Sequence, residues 1–169
     1  VGCMMAIVMG ISARDQEVLD RACDLGLAFQ LANIARDVTE DAQAGRCYLP
    51  QTWLAEAGIE PEHILEPVNR DALVLLVNRL CDLAGDYEAS ARVGASSLPF
   101  RSRWAVLAAA GIYGDIARAI RKSGGASLDH RIYTSKGTKL GWIVKAFGQV
   151  LVNPAKRGRQ GLWTRARTA

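Results

Sequence analysis

From Arg14 to Ala44 the apolar residues, among them Val18, Leu19, Ala22, Leu25, Phe29, Leu31, Ile34 and Val38, surround most of a helical circumference instead of forming one stripe. That pattern predicts one long central helix with neighbours on several sides. Ser12 followed by Asp15 resembles a capping box at its start, and Gly45 is the first residue able to stop it. After the Leu49-Pro50 break comes a short piece over Thr52 to Ala57, then a loop through Pro61 and Pro67. Further long helices are predicted over Arg70 to Val93 and Arg101 to Lys122, separated by Pro99, with Gly124 and Gly125 closing the latter. A last one runs from Thr138 to Val152 before Pro154. No strand, repeat or linker between domains is evident, so the fold class is all-α, an array of antiparallel helices.

With 169 residues, half of them apolar, the chain can bury a sizeable core without disulfide or metal staples. Its 22% charged residues and 5 Pro place it far from disordered or collagen-like chains. The longest apolar stretches are interrupted, as by Lys145 and Gln149, and fall short of the roughly 20 residues a bilayer span needs. Cys3, Cys23, Cys47 and Cys81 form no CxxC pair, and two histidines, His63 and His130, are too few for an ordinary zinc site, so four reduced thiols in a cytoplasmic protein are expected. The apolar run Val1 to Met9 has no positive segment before it, unlike a signal peptide, and reads as a chain that begins inside a larger protein. The net charge of +4 hides an asymmetry: residues 130 to 169 hold 9 basic side chains and no acidic one. Such a segment calls for an acidic partner or surface.

Candidate chemistry changes the picture most on the central helix. Gln30, Asn33, Asp37 and Asp41 are spaced 3, 4 and 4 apart, which places them within about 80° of one another on a helix. A stripe of oxygen donors on an otherwise apolar helix is costly unless it meets solvent or something positive. One turn apart, Asn33, Asp37 and Asp41 suit Mg²⁺, which is usually held by one or two carboxylates together with phosphate oxygens. Asp20/Asp24 and Asp82/Asp86 share the i, i+4 spacing but lack the surrounding pattern, and a solvated face is expected for both pairs.

That pattern is Leu25-Gly26, Gln30, Asn33-Ile34, Arg36-Asp37-Val38, Asp41 and Gly45-Arg46-Cys47-Tyr48-Leu49-Pro50. It resembles the second signature of the squalene/phytoene synthase family, and the segment GRCYLPQTWLAEAGI from Gly45 is most similar to bacterial members that form phytoene. The resemblance implies an isoprenoid-synthase-type helical bundle around an apolar cavity, of which residues 1–152 are the C-terminal part of a single domain and 153–169 a basic, flexible tail. It implies that Asn33, Asp37 and Asp41 bind Mg²⁺ or Mn²⁺, with a second aspartate-rich motif upstream of Val1. Gln30, Arg36, Arg46, Tyr48 and Arg131 are candidates for binding the diphosphate, and Tyr113 joins Asp37 and Asp41 as a catalytic candidate.

Other readings of single residues stand beside these: an Arg36–Glu40 ion pair, Tyr48 as a packing anchor, Tyr113 as a core tyrosine, and Ala22 and Gly26 as close-packing residues instead of a low cavity wall. The implied reaction is the head-to-head condensation of two geranylgeranyl diphosphates to phytoene without NADPH. The rivals are a squalene or dehydrosqualene synthase using farnesyl diphosphate, and a non-catalytic relative acting as an assembly factor. Leu140, Trp142, Ile143, Val144, Phe147, Val150 and Leu151, with Lys139, Lys145 and the basic tail, suit peripheral contact with an anionic membrane surface, against a last bundle helix with a solvated tail. Nucleic acid is not expected, since no groove-reading motif accompanies the charge.

Overall fold

The computed structural model describes residues 1–152, 154 and 158–166, and every described element is helical or a connection between helices. The α-helices are α1 (Gly2–Val8), α2 (Gln16–Gln43), α3 (Gln51–Ala57), α4 (Arg70–Gly94), α5 (Phe100–Ser123) and α6 (Lys136–Val150). The four breaks from α2 to α6 fall within a few residues of where the sequence places them, because Pro and Gly leave the helical ladder little choice. Gly58 and Gly124 end α3 and α5 at φ 68° and 52°, a region that favours a residue without Cβ. One cap differs. Asp15, not Ser12, caps α2 by accepting from the Val18 amide, while the Ser12 hydroxyl turns to the Arg14 amide in the preceding bend. Short 3₁₀ turns at Pro61–His63, Pro67–Asn69, Ala95–Ser97 and Gly124–Leu128 fill what the sequence showed only as loops.

α2 is the central helix its all-round apolarity implied, with its principal contacts to α4, α5 and α1. Small residues make this possible: Ala28, Ala32 and Ala35 are buried along it and let the neighbouring helices approach. The main core joins Ala32, Ala35 and Val38 to Leu73, Val77 and Leu80 of α4 and to Ile116 and Ile120 of α5. Leu49, Leu54, Ile59 and Ile64 plug its end from the α3 region. Burying a side chain such as Ile120 or Leu80 contributes about 1.5–3 kcal/mol, so this layer holds α2 rigidly where its polar stripe emerges.

α6 packs on α5 through Ala146 and Val150. Its Trp142 lies flat against Gly111, where any Cβ would collide with the indole, and donates its ring N–H to Asp115. Arg92, Arg118 and Lys145 surround the same ring, the last 4.3 Å from its centroid. Thus Trp142 and Val150, grouped by sequence with the outward apolar residues, face the bundle. Leu140, Val144, Phe147 and Leu151 are exposed.

The expected solvated face of Asp20/Asp24 is not what the structure shows. Asp24 is 0% exposed and Asp20 3%. The Asp24 carboxylate accepts from the Ser90 hydroxyl of α4 at 2.5 Å and from both Arg159 nitrogens, Nε and Nη2, at 2.7 Å. Asp20 accepts from Arg165 at 2.9 Å, and Trp163 donates its backbone amide to the Tyr87 hydroxyl. Covering the carboxylates from outside the helix removes the water that a solvated face requires. Of the basic tail, 153, 155–157 and 167–169 lie outside the described residues; Arg159 and Arg165 are engaged with α2. Asp82, by contrast, is exposed and pairs with Arg121.

Candidate functional site

The buried alanines on one side of α2 turn Gln30, Asn33, Asp37 and Asp41 to the other, where Gln30 is exposed and the remaining three are half-buried. Asp37 is the best held of them. The Arg36 guanidinium forks onto it, Nε to Oδ1 at 2.7 Å and Nη2 to Oδ2 at 2.6 Å, and Arg131 reaches Oδ1 at 2.9 Å. These bonds, the Arg36 fork first, hold the Asp37 carboxyl below the usual carboxylate range, against the opposing effect of its partial burial. The same fork raises Arg36. Arg36 therefore does not pair primarily with Glu40, the partner its helical spacing suggested. Glu40 lies 3.9 Å from Arg131.

One turn on, Asp41 accepts from Arg46 Nε at 3.2 Å and Nη2 at 3.0 Å. Arg46 comes from the turn that Gly45, at φ 71°, permits after α2. Tyr48 in the same turn is 54% exposed and borders a narrow cleft with Asp41 and Arg46, whereas the adjacent Leu49 is the buried anchor. Tyr113 of α5 is half-buried and stacks on Phe29 of α2 with ring centroids 4.1 Å apart. It is near enough to Arg36 to add to that group's raised pKa. The fold therefore gathers Arg36, Asp37, Tyr113 and Arg131 around one turn of α2 and Asp41, Arg46 and Tyr48 around the next. Asn33 lies between Gln30 and Asp37 on the stripe.

Alongside the stripe lies an open apolar cavity of about 460 Å³. Its walls include Ala22, Leu25, Gly26, Phe29 and Gln30 of α2, with Leu98 opposite. A Cβ at Gly26 would meet nothing within 4 Å, so this glycine keeps the wall low and does not serve helix packing. The close approach between α1 and α2 occurs instead at Gly2, against the Ala22 carbonyl. Gln30 belongs to both cavity and stripe, and marks where the apolar space meets the oxygen donors.

The donor set suits a hard divalent cation: two carboxylates and an amide oxygen, on one helix face, with no sulfur or imidazole among them. Among the described residues no three His, Cys, Asp or Glu side chains converge as a ready metal cage. What this chain offers is one wall of oxygen ligands, in keeping with the one or two carboxylates that Mg²⁺ usually takes. All four cysteines are free, and burial pushes the Cys81 thiol up to about 12, so it is not a reactive thiolate.

Sequence reasoning missed the Asp20/Asp24 cluster, although its signal was present. The C-terminal segment demanded an acidic partner, and for Arg159 and Arg165 that partner is in the same chain.

Fold and site together define an all-helical protein of isoprenoid-synthase type, with an oxygen-donor stripe at the edge of an apolar cavity. The chain belongs to the squalene/phytoene synthase family, whose model matches residues 1–138. It is 51% identical over 168 residues to a 15-cis-phytoene synthase of Paracoccus sp., covering 98% of this chain and 54% of that one. To a phytoene synthase of Pseudescherichia vulneris it is 47% identical over 168 residues, again covering 98% and 54%. To a 15-cis-phytoene synthase of Enterobacter agglomerans it is 48% identical over 157 residues, covering 93% and 52%. The chain spans about half the length of the curated relatives it matches. The family is of a prenyltransferase type that typically uses a divalent metal.

Proposed function

We propose that the complete protein condenses two geranylgeranyl diphosphates head to head into phytoene, the first committed step of carotenoid formation. The observation that carries this reading is the Gln30-Asn33-Asp37-Asp41 stripe beside an apolar cavity, and the names of relatives at 47–51% identity support the product. The first condensation expels one diphosphate and one proton and gives a cyclopropyl diphosphate; this loses the second diphosphate, rearranges and releases a second proton. Mg²⁺ or Mn²⁺ held by Asn33, Asp37 and Asp41 supplies positive charge for the departing diphosphate oxygens.

The chain's own residues do the rest. Asp37, kept ionised by its arginines, is an oxygen ligand and not an acid or base. Arg36, Arg46 and Arg131 offer guanidinium forks that match phosphate oxygens. Tyr113 and Phe29 place an aromatic wall near Arg36, and Tyr48 stands exposed at the turn with Arg46. The walls of Ala22, Leu25 and Gly26 take the prenyl chain and exclude water from the allylic cation.

The test is to incubate the complete protein with C15 and C20 diphosphates and Mg²⁺, with and without NADPH. A C40 phytoene from the C20 substrate alone, without NADPH, is expected. Squalene or dehydrosqualene from the C15 substrate overturns the choice of chain length, and absence of any product from either favours an assembly factor.

The face we assign to membrane contact is narrower than the whole apolar segment, because Trp142 and Val150 face the bundle. Among the described residues no helix is long and apolar enough to cross a bilayer. Leu140, Val144, Phe147 and Leu151 line up at helical spacing on the exposed face of α6, with Lys136, Lys139 and Lys145 on the same helix. This face is suited to lie on an anionic surface, at which a lipophilic C40 product is released. Val144→Glu with Phe147→Glu is expected to reduce co-sedimentation with anionic vesicles at low salt severalfold. Unchanged sedimentation overturns the assignment of this face.

A further inference from the structure

The carboxylate at the centre of the stripe already carries three guanidinium contacts on its roughly four acceptor positions. Both Asp37 oxygens are taken by the Arg36 fork, at 2.7 and 2.6 Å, and Oδ1 also by Arg131 at 2.9 Å. A divalent ion needs those same oxygens at about 2.1 Å and brings two further positive charges among two guanidinium groups. Metal alone must therefore either displace a guanidinium or share an oxygen with one, and in both cases it crowds like charges. A diphosphate changes the balance, because its oxygens offer a guanidinium the geometry that a carboxylate offers.

The two arginines are placed to move. Their side chains are 20% and 37% exposed. Arg131 projects from the non-helical stretch between the 3₁₀ turn at Gly124–Leu128 and α6, where no helical ladder fixes its backbone. Arg36 is fixed to α2 by its backbone but reaches Asp37 through a long side chain with several rotamers.

We propose that Arg36 and Arg131 are place-holders on Asp37 that transfer to an incoming diphosphate, so that divalent metal and diphosphate bind this wall as a thermodynamically coupled pair. The proposal rests on the metal and diphosphate reading of the stripe given above. The arginines are positioning residues in this scheme, since they act on the metal through Asp37. Coupling of this kind is reciprocal: whatever factor diphosphate adds to metal affinity, metal adds to diphosphate affinity. It also protects the site, because free Mg²⁺ without substrate does not fill it.

The experiment measures binding without turnover, in the complete protein. Mn²⁺ affinity is read from the free-ion paramagnetic signal with and without inorganic pyrophosphate, corrected for the complex the two form in the absence of protein. In the wild type, pyrophosphate is expected to tighten Mn²⁺ binding by about 5–150-fold, the usual range of coupling between sites. Arg36→Gln and Arg131→Gln, made separately so that one misfolded variant does not decide the matter, are each expected to bind Mn²⁺ alone severalfold more tightly than wild type. In each the enhancement by pyrophosphate should shrink towards one. Removing a neighbouring positive charge favours metal by itself, so the loss of the pyrophosphate enhancement is the discriminating result, and a purely structural role would leave that enhancement in place. Mn²⁺ binding that Asp37→Asn abolishes but both arginine variants leave unchanged overturns the place-holder role and spares the metal site. Wild-type protein that binds neither Mn²⁺ nor pyrophosphate overturns the metal and diphosphate reading, and the present proposal with it.

Discussion

Asp37→Asn or Asp41→Asn in the complete protein lowers prenyl-diphosphate turnover by about 10²–10³-fold, the cost of removing one preorganised electrostatic group from a site where charge develops. Each substitution keeps the shape of the side chain and removes one of the two carboxylates on the stripe. The effect is largest at limiting Mg²⁺ and is partly recovered by excess metal, since the lost charge weakens binding of the ion before it weakens chemistry. The fold survives, because both side chains are only half-buried and the core beneath them is formed by Ala32, Ala35 and Val38. Near-normal activity of either variant at low Mg²⁺ removes the stripe from the mechanism. The pH dependence follows from the same pair. With its folded pKa held below the ordinary value, Asp37 contributes stability above about pH 4 that is lost as the pH falls through the lower folded value. Asp37→Asn lacks this acid-side slope.

Arg159→Met destabilises the protein by about 3 kcal/mol, near the lower end of what breaking a buried ion pair costs. The low end applies because Arg165 still faces Asp20, and the Arg159 side chain is 14% exposed. Asp24 has no such recourse: it is 0% exposed, and without Arg159 it retains the Ser90 hydroxyl. At roughly 2–4 °C per kcal/mol for a protein of this size, the melting midpoint falls by about 6–12 °C. Asp24→Asn combined with Arg159→Met recovers part of the loss, since the neutral amide no longer needs a counter-charge, and a double-mutant cycle gives the coupling directly. A single Arg159→Met variant that melts within a degree of wild type shows that the contact carries no stability.

The helices were legible because their determinants are local. Pro50, Pro67 and Pro99 cannot continue a ladder, Gly58 and Gly124 end one, and the alternation between them has a helical period. The stripe was legible for the same reason: i, i+3 and i+4 spacing puts Gln30, Asn33, Asp37 and Asp41 on one face whatever surrounds the helix. What periodicity does not reveal is which face another segment will cover. Asp20/Asp24 has the same spacing as Asp82/Asp86, yet one pair is buried and the other includes the exposed Asp82. The difference is made by arginines more than a hundred positions away. α6 shows the converse. Its apolar residues occur all round, so only the contact with Gly111 decides that Trp142 turns inward while Val144 does not.

The bond between Asp24 and Arg159 joins residues 135 positions apart. At about 5–20 residues per second of synthesis, the carboxylate waits roughly 7–27 s for its guanidinium. Throughout that interval α2 can pack against α4 only by burying the Asp24 carboxylate with the Ser90 hydroxyl, which it shares with Arg21, and without the guanidinium that forks onto it, so the closed helical array is disfavoured until Arg159 has been made. The nascent chain therefore keeps the interface around Asp24 hydrated and accessible to chaperones and proteases, and a product cut short before Arg159 retains that exposure permanently. Synthesis past Arg159 is in this way registered inside α2, by charge.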